Sequence, residues 1–205
     1  MSAQVPSDAR TDHVSLMSHD SGAGAVPPGR MRTAMICAVA AVVLGAAIFG
    51  FFFAWVCSTM WGLDAADPRV AIAAMQAMND SVQNAVFFPA FFLTPVVMAA
   101  AALLARRSRR PRAAAYLLAA GLVYLAGGLL LTMLVNVPMN EELAGVSVPQ
   151  DIAEAARVWS DYSGSWQSWN VTRTVFSGIA VALATIGVHA LGRGPRAASG
   201  VAATQ

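Results

Sequence analysis

The chain has 205 residues, of which 57% are hydrophobic and only 12% charged, and its net charge is +2. A soluble domain carries about 25% charged residues, so this composition excludes an ordinary water-soluble globule and points to a bilayer. All 13 basic residues are arginine, and a lysine-free, alanine-rich chain of this kind is expected from a bacterium.

Residues 1–30 are rich in Ser, Asp, Gly and Pro and hold no apolar core. They are expected to form a disordered cytoplasmic tail. They do not read as a signal peptide, because the first apolar run begins too late and is too long. That run, free of charge from Thr33 to Leu63, predicts a first membrane span near 34–57. Further spans are predicted near 85–105, 113–135 and 172–191, each about the 20 residues that a helix needs to cross a bilayer. The expected fold class is therefore all-α: an integral membrane four-helix bundle over 31–192, with a short tail at 193–205. The runs are Ala- and Leu-rich and do not alternate, which excludes a membrane β-barrel.

Between the first two spans, Met75, Met78 and Asn79 share one face of a predicted short amphipathic helix, with Pro68 in its first turn. Pro138 disfavours α geometry at Val137, so the third helix is expected to end or kink there. Ala46/Gly50 and Gly178/Ala182 are small residues four apart, and at least one pair is expected to face another helix.

Arginine placement orients the bundle. The second inter-helix loop, RRSRRPR, holds Arg106, Arg107, Arg109, Arg110 and Arg112, whereas the first and third loops are acidic. The positive-inside rule places both termini in the cytoplasm of a multi-pass cell-membrane protein, with the acidic loops outside. Since topology already accounts for the arginines, no nucleic-acid partner is expected; membrane lipid is. Cys37 and Cys57 lie about 30 Å apart on one helix and cannot pair. No CxxC motif, His/Cys cluster or glycine-rich phosphate loop is present, so neither metal nor other cofactor is expected.

One stretch is unusual for a membrane protein. On a continuous helix, Trp159, Tyr162, Trp166, Trp169, Asn170 and Arg173 fall within an arc of about 100°, provided Gly164 does not break it. The stripe reads either as an interfacial aromatic girdle with a snorkelling arginine, or as one wall of a pocket in which Arg173 meets an anion. Asn136 and Asn140 flank Pro138, where they either satisfy a broken helix end or join that pocket. Asn79-Asp-Ser and Asn170-Val-Thr match the glycosylation acceptor pattern, but an Asn170 facing inward has no room for a glycan.

FFFAW, AMQAMND, NVPMNEEL and WSDYSGSWQSWNVTR, in that order, resemble the anthrone oxygenase-like family of small four-helix membrane proteins. The resemblance covers roughly Ala34 to Leu191. Its implied signature positions are Asn79, Asn136, Asn140, Trp159, Tyr162, Trp166, Trp169, Asn170 and Arg173. The activity it implies is oxidation of anthrones to anthraquinones by molecular oxygen, so the implied partners are a small aromatic substrate and oxygen. Such chemistry needs an aromatic slot, donors to an oxyanion and a base. Arg173, the asparagines and the indoles are expected as slot and donors; Glu141, Glu142 or Asp161 is expected as base. The competing expectation is a non-enzymatic membrane protein that binds a lipid-like or aromatic ligand, or a partner, in the same pocket.

Overall fold

In the computed structural model, residues 28–193 are described, so both predicted tails lie outside the described residues apart from their edges. The chain forms α1 (Pro28–Ala54), a π segment (Trp55–Thr59), α2 (Met60–Asp64), α3 (Pro68–Ser81) and α4 (Phe87–Arg107). It continues as α5 (Pro111–Val123), two π segments (Tyr124–Leu130 and Thr132–Asn136), α6 (Val137–Ala144) and α7 (Ile152–Gly192). Among the described residues, four helices are long and apolar enough to cross a membrane: Gly29–Asp64, Phe87–Arg107, Pro111–Ala144 and Ile152–Gly192. The protein is an all-helical membrane bundle.

The four spanning helices are unequal, and that inequality makes the site. At 1.5 Å per residue the second is about 32 Å long, close to the ~30 Å hydrocarbon layer. The other three, of 36, 34 and 41 residues, run about 50–60 Å and so project beyond it at one end. There the second helix has already stopped, and the amphipathic α3 lies across the gap, packed on α7, α2 and α6.

Within the membrane layer the helices form a ring in which α1 and α5 each pack on both α4 and α7. Their shared core is built from small residues, among them Ala38, Ala41, Ala101, Ala105, Ala113, Ala180 and Ala184, around Phe52, Phe91, Met98, Leu117 and Tyr124. In lipid, small side chains let backbones approach and dispersion act over the contact. Gly127 is the extreme case: the Phe176 ring lies where a Cβ would stand. At Gly187, an added Cβ would come 2.8 Å from Leu117. The expected small-residue pairs contribute less. Gly178 does face Phe49 of α1, but Gly50 has nothing within 4 Å, and Ala46 and Ala182 are exposed.

The helix ends follow their caps. Asp67 precedes Pro68 and accepts from the Arg69 amide at 2.9 Å, starting α3 as an acidic N-cap should. Arg69 also bridges the same carboxylate and holds its pKa down to about 2. Asn84 Oδ1 accepts from the amides of Val86 and Phe87 to open α4. Asp151 accepts from Glu154 N at 2.8 Å to open α7.

Pro138 does not end the third helix. Val137 keeps helical angles (φ −64°, ψ −50°), and α6 runs on to Ala144. The wide turn of Thr132–Asn136 explains this: a proline ring clashes with the carbonyl four residues back only when the turn is tight. Gly164 does not break α7 either, which is continuous for 41 residues. The packed aromatic face of Trp159, Tyr162 and Trp166 outweighs one glycine's ~1 kcal/mol helix cost.

Candidate functional site

At the projecting end, the space between the short second helix and its long neighbours is a cavity of about 380 Å³. Drug-sized ligands occupy cavities of roughly 300–1,000 Å³. Five elements supply its walls. The first spanning helix gives Phe51, Phe52 and Trp55; α3 gives Gln76, Asn79 and Asp80. The start of α4 gives Phe87, Phe88, Phe91 and Phe92, and the third spanning helix gives Thr132, Met133, Asn140 and Glu141. Trp166 and Arg173 come from α7. Aromatic rings line the space as a slot: Phe51 and Phe87 have centroids 4.9 Å apart, and Trp55 and Trp166 5.2 Å apart.

Arg173 is the charged centre. It is only 5% exposed. Its Nε donates to Asn170 Oδ1 at 3.0 Å, and its Nη1 donates to Thr132 Oγ1 at 3.3 Å. The guanidinium carbon stands 4.2 Å from the Phe52 ring centroid and 5.1 Å from that of Trp166. Each aromatic face stabilises the cation by about 1–2 kcal/mol when desolvated. No carboxylate pairs with it among the described residues. A buried arginine without a counter-anion is costly in a low-dielectric site. Neutral partners and two ring faces leave it attractive to an anionic oxygen.

Asn140 is the second polar centre. Its Oδ1 accepts from Tyr162 Oη at 2.9 Å and from Trp166 Nε1 at 2.8 Å. With its carbonyl saturated in this way, the amide is oriented and its NH₂ stays available at the cavity wall. Asn79 lines the same space, with its buried Nδ2 unpartnered. Gln76 spends its NH₂ on the carbonyls of Leu143 and Val146, at 2.8 and 2.9 Å, clamping α3 onto α6.

The structure sorts the sequence-predicted positions into groups. Asn79, Asn140, Glu141, Trp166 and Arg173 share the cavity wall. Tyr162 and Asn170 stand behind it, orienting Asn140 and Arg173. Asn170 is 1% exposed, which closes it to a glycan. Trp159 lies further toward the helix start, on Asp64. Asn136 is fully buried off the cavity wall, with both amide atoms unpartnered.

Trp169 and Asp161 lie away from the site: Trp169 is 42% exposed, and Asp161 is exposed with no hydrogen bond to it. Along Ala155–Ser177, the half that carries the stripe, the buried face of α7 includes Ser163, Thr174 and Ser177, which centres it about 25° from the aromatic stripe's middle, on the side away from Trp169. Trp169 is then about 80° from the buried centre and Asp161 about 160°. Of the three candidate bases only Glu141 reaches the cavity wall, where Asp80 joins it.

Other site residues lacked a sequence signal that singled them out. Asp64 accepts from Trp159 Nε1 at 2.9 Å, Ser163 Oγ at 2.7 Å and Gln167 Nε2 at 2.9 Å, pinning the end of the first spanning helix to α7. In the sequence it is one more acid of an acidic loop. The FFPAFF run at the start of α4 was legible as aromatic but not as a wall. Among the described residues, no three His, Cys, Asp or Glu side chains gather.

The fold and site thus define a class: a four-helix integral membrane protein with an aromatic, arginine-centred cavity at one end of the bundle. The family model described as anthrone oxygenase matches residues 81–183, just over half of the chain, and the protein belongs to the anthrone oxygenase family. That span holds α4, the third spanning helix and most of α7; the Phe52/Trp55 wall and nearly all of α3 lie before it. No curated protein and no solved structure matches the chain.

Proposed function

We propose that the protein is an oxygenase of acidic polycyclic aromatic ketones or phenols that acts without a cofactor, in the manner its family's name implies. The observation that carries this reading is Arg173: a buried guanidinium with no acidic partner among the described residues, at the wall of an aromatic slot. An anthrone is flat, matches such a slot, and becomes an oxyanion on losing a proton from its central CH₂.

A base removes one CH₂ proton, and the electron pair moves onto the ketone oxygen, where Arg173 and the Asn140 NH₂ stabilise it. The electron-rich anion reduces oxygen and forms a C–O bond at the former CH₂; the abstracted proton completes a hydroperoxide. Loss of the remaining C–H proton and cleavage of the O–O bond give the second ketone and one water. Glu141 is the proposed proton acceptor. The non-enzymatic alternative, a receptor for an aromatic anion, uses the same Arg173 and differs only in lacking turnover.

The proposal extends to location: the cell membrane, both termini in the cytoplasm and the cavity on the outer side. It is supported by Arg106, Arg107, Arg109, Arg110 and Arg112 at the end of the bundle opposite the cavity. The deciding experiment follows oxygen uptake by the protein in lipid vesicles with anthrones, hydroquinones and other acidic polycyclic phenols. Stoichiometric oxygen consumption with anthraquinone formation is expected. Saturable binding without uptake would leave the receptor alternative.

A further inference from the structure

The cavity wall includes residues that face neither water nor the bundle interior. Phe88, Phe92 and Met133 are 41%, 39% and 38% exposed. Phe92 lies in the second turn of α4, and Met133 is five residues before Pro138. In a spanning helix such exposure means contact with lipid. These residues nevertheless line the same space as Arg173, which is 5% exposed.

The cause lies in how the second and third helices meet. α4 packs along α5 and touches the first of the two π segments, Tyr124–Leu130, but makes at most marginal contact with Thr132–Asn136 and α6. Beyond Tyr124, whose hydroxyl donates to the Phe91 carbonyl at 3.0 Å, the two helices part. The π turns contribute, since an inserted residue re-aims the helix that follows. The opening is rimmed by aromatic and aliphatic side chains on its membrane side. Asp80, Gln83 and Glu141 stand on the polar side.

We infer that the cavity is entered sideways from the bilayer, between the second and third spanning helices, by a lipid-dissolved flat aromatic molecule carrying one ionisable oxygen. The ligand's identity rests on the function proposed above; the route does not. A polycyclic ketone partitions into the upper acyl region with its oxygen toward the interface. Sliding through the gap, it keeps its rings in apolar surroundings throughout, and its oxygen meets Arg173 only inside. The alternative approach, across the acidic groups of the polar rim, would strip the molecule from the membrane first.

The test uses the full chain in phosphatidylcholine vesicles, with Trp61→Phe and Trp169→Phe removing the two indoles that are 66% and 42% exposed. Emission then comes from Trp55, Trp159 and Trp166. Lipid brominated in the upper acyl chain is expected to quench it, although Trp166 is 1% exposed. Met133→Phe with Val137→Phe, which narrows the gap, should abolish that loss. Met133→Phe alone should reduce it, and Leu134→Phe, on an outward face that is 72% exposed, should leave it unchanged. Quenching by aqueous acrylamide with none by brominated lipid would overturn the lateral route, as would equal quenching in the narrowed variant.

Anthrone added to the same vesicles separates the two claims. Occupancy that follows anthrone's mole fraction in lipid, and slower filling in the narrowed variant, support both. If anthrone fails to bind while brominated lipid still quenches through the gap, the substrate reading falls and the route stands. If anthrone binds at equal rates in both forms, the route falls and the reading stands.

Discussion

At the scale of single residues, the site is a division of labour between groups that face the cavity and groups that aim them. Arg173 faces it; Asn170 fixes the guanidinium plane from behind and Thr132 from the wall itself. Lysine would keep the charge but lose the planar fork that bonds two partners at once and lies on the Phe52 ring. Arg173→Lys is therefore expected to lower kcat/KM for anthrone-dependent oxygen uptake by roughly 100-fold, the scale for loss of one preorganised oxyanion donor. Uptake at the parental rate would show that Arg173 has no part in the chemistry. Asp64 acts in the opposite way, far from the cavity but holding three donors of α7. Asp64→Ala should destabilise the projecting end by about 1–2 kcal/mol. Faster amide exchange in Trp61–Ser81 and at the start of α7, with the membrane-layer helices unchanged, is the expected signature; no change would reduce the three bonds to surface ornament.

At the scale of elements, the controlling feature is close approach. Gly127 lies under the Phe176 ring, while Gly50 faces outward with nothing near it. Gly127→Ala should cost about 1–3 kcal/mol or more through overpacking, read as a drop in thermal unfolding temperature in detergent. Gly50→Ala should be neutral or slightly stabilising, because alanine is the better helix former. Equal effects of the two would mean that the α7 contact with Gly127 is not built as described. Spacing alone does not tell these glycines apart. Gly50 belongs to a small-residue pair and Gly127 to none of the pairs expected, yet only Gly127 is in intimate contact. Which glycine meets a neighbour depends on helix rotation, which the Tyr124–Leu130 and Thr132–Asn136 π segments set, and π turns leave no periodic trace in an apolar run.

At the scale of the whole molecule, three long helices and one short one create both the cavity and its proposed sidewards mouth. The orientation proposal is checked in a Cys37→Ser/Cys57→Ser background, with one cysteine placed at Ser147 in the third loop or at Arg107 in the arginine loop, both exposed. In intact cells an impermeant thiol reagent is expected to label the Ser147 position and not the Arg107 position. The reverse pattern would put the cavity in the cytoplasm.

Composition and run length determined the class of this protein, its four spans and the amphipathic α3, because a bilayer forces apolar length and helical hydrogen bonding on any chain that crosses it. The W–Y–W–N–R order of α7 likewise made Trp166, Asn170 and Arg173 legible as one face, since 3.6-residue periodicity is a local property. Only the tertiary structure decided that Trp169 falls off that face, that Asn136 is buried away from the wall, and that Pro138 sits inside a helix. It alone brought Phe52, Thr132 and Arg173 together from three different helices. Those outcomes depend on how each helix is rotated and how far it projects past its neighbours, and packing between helices sets both.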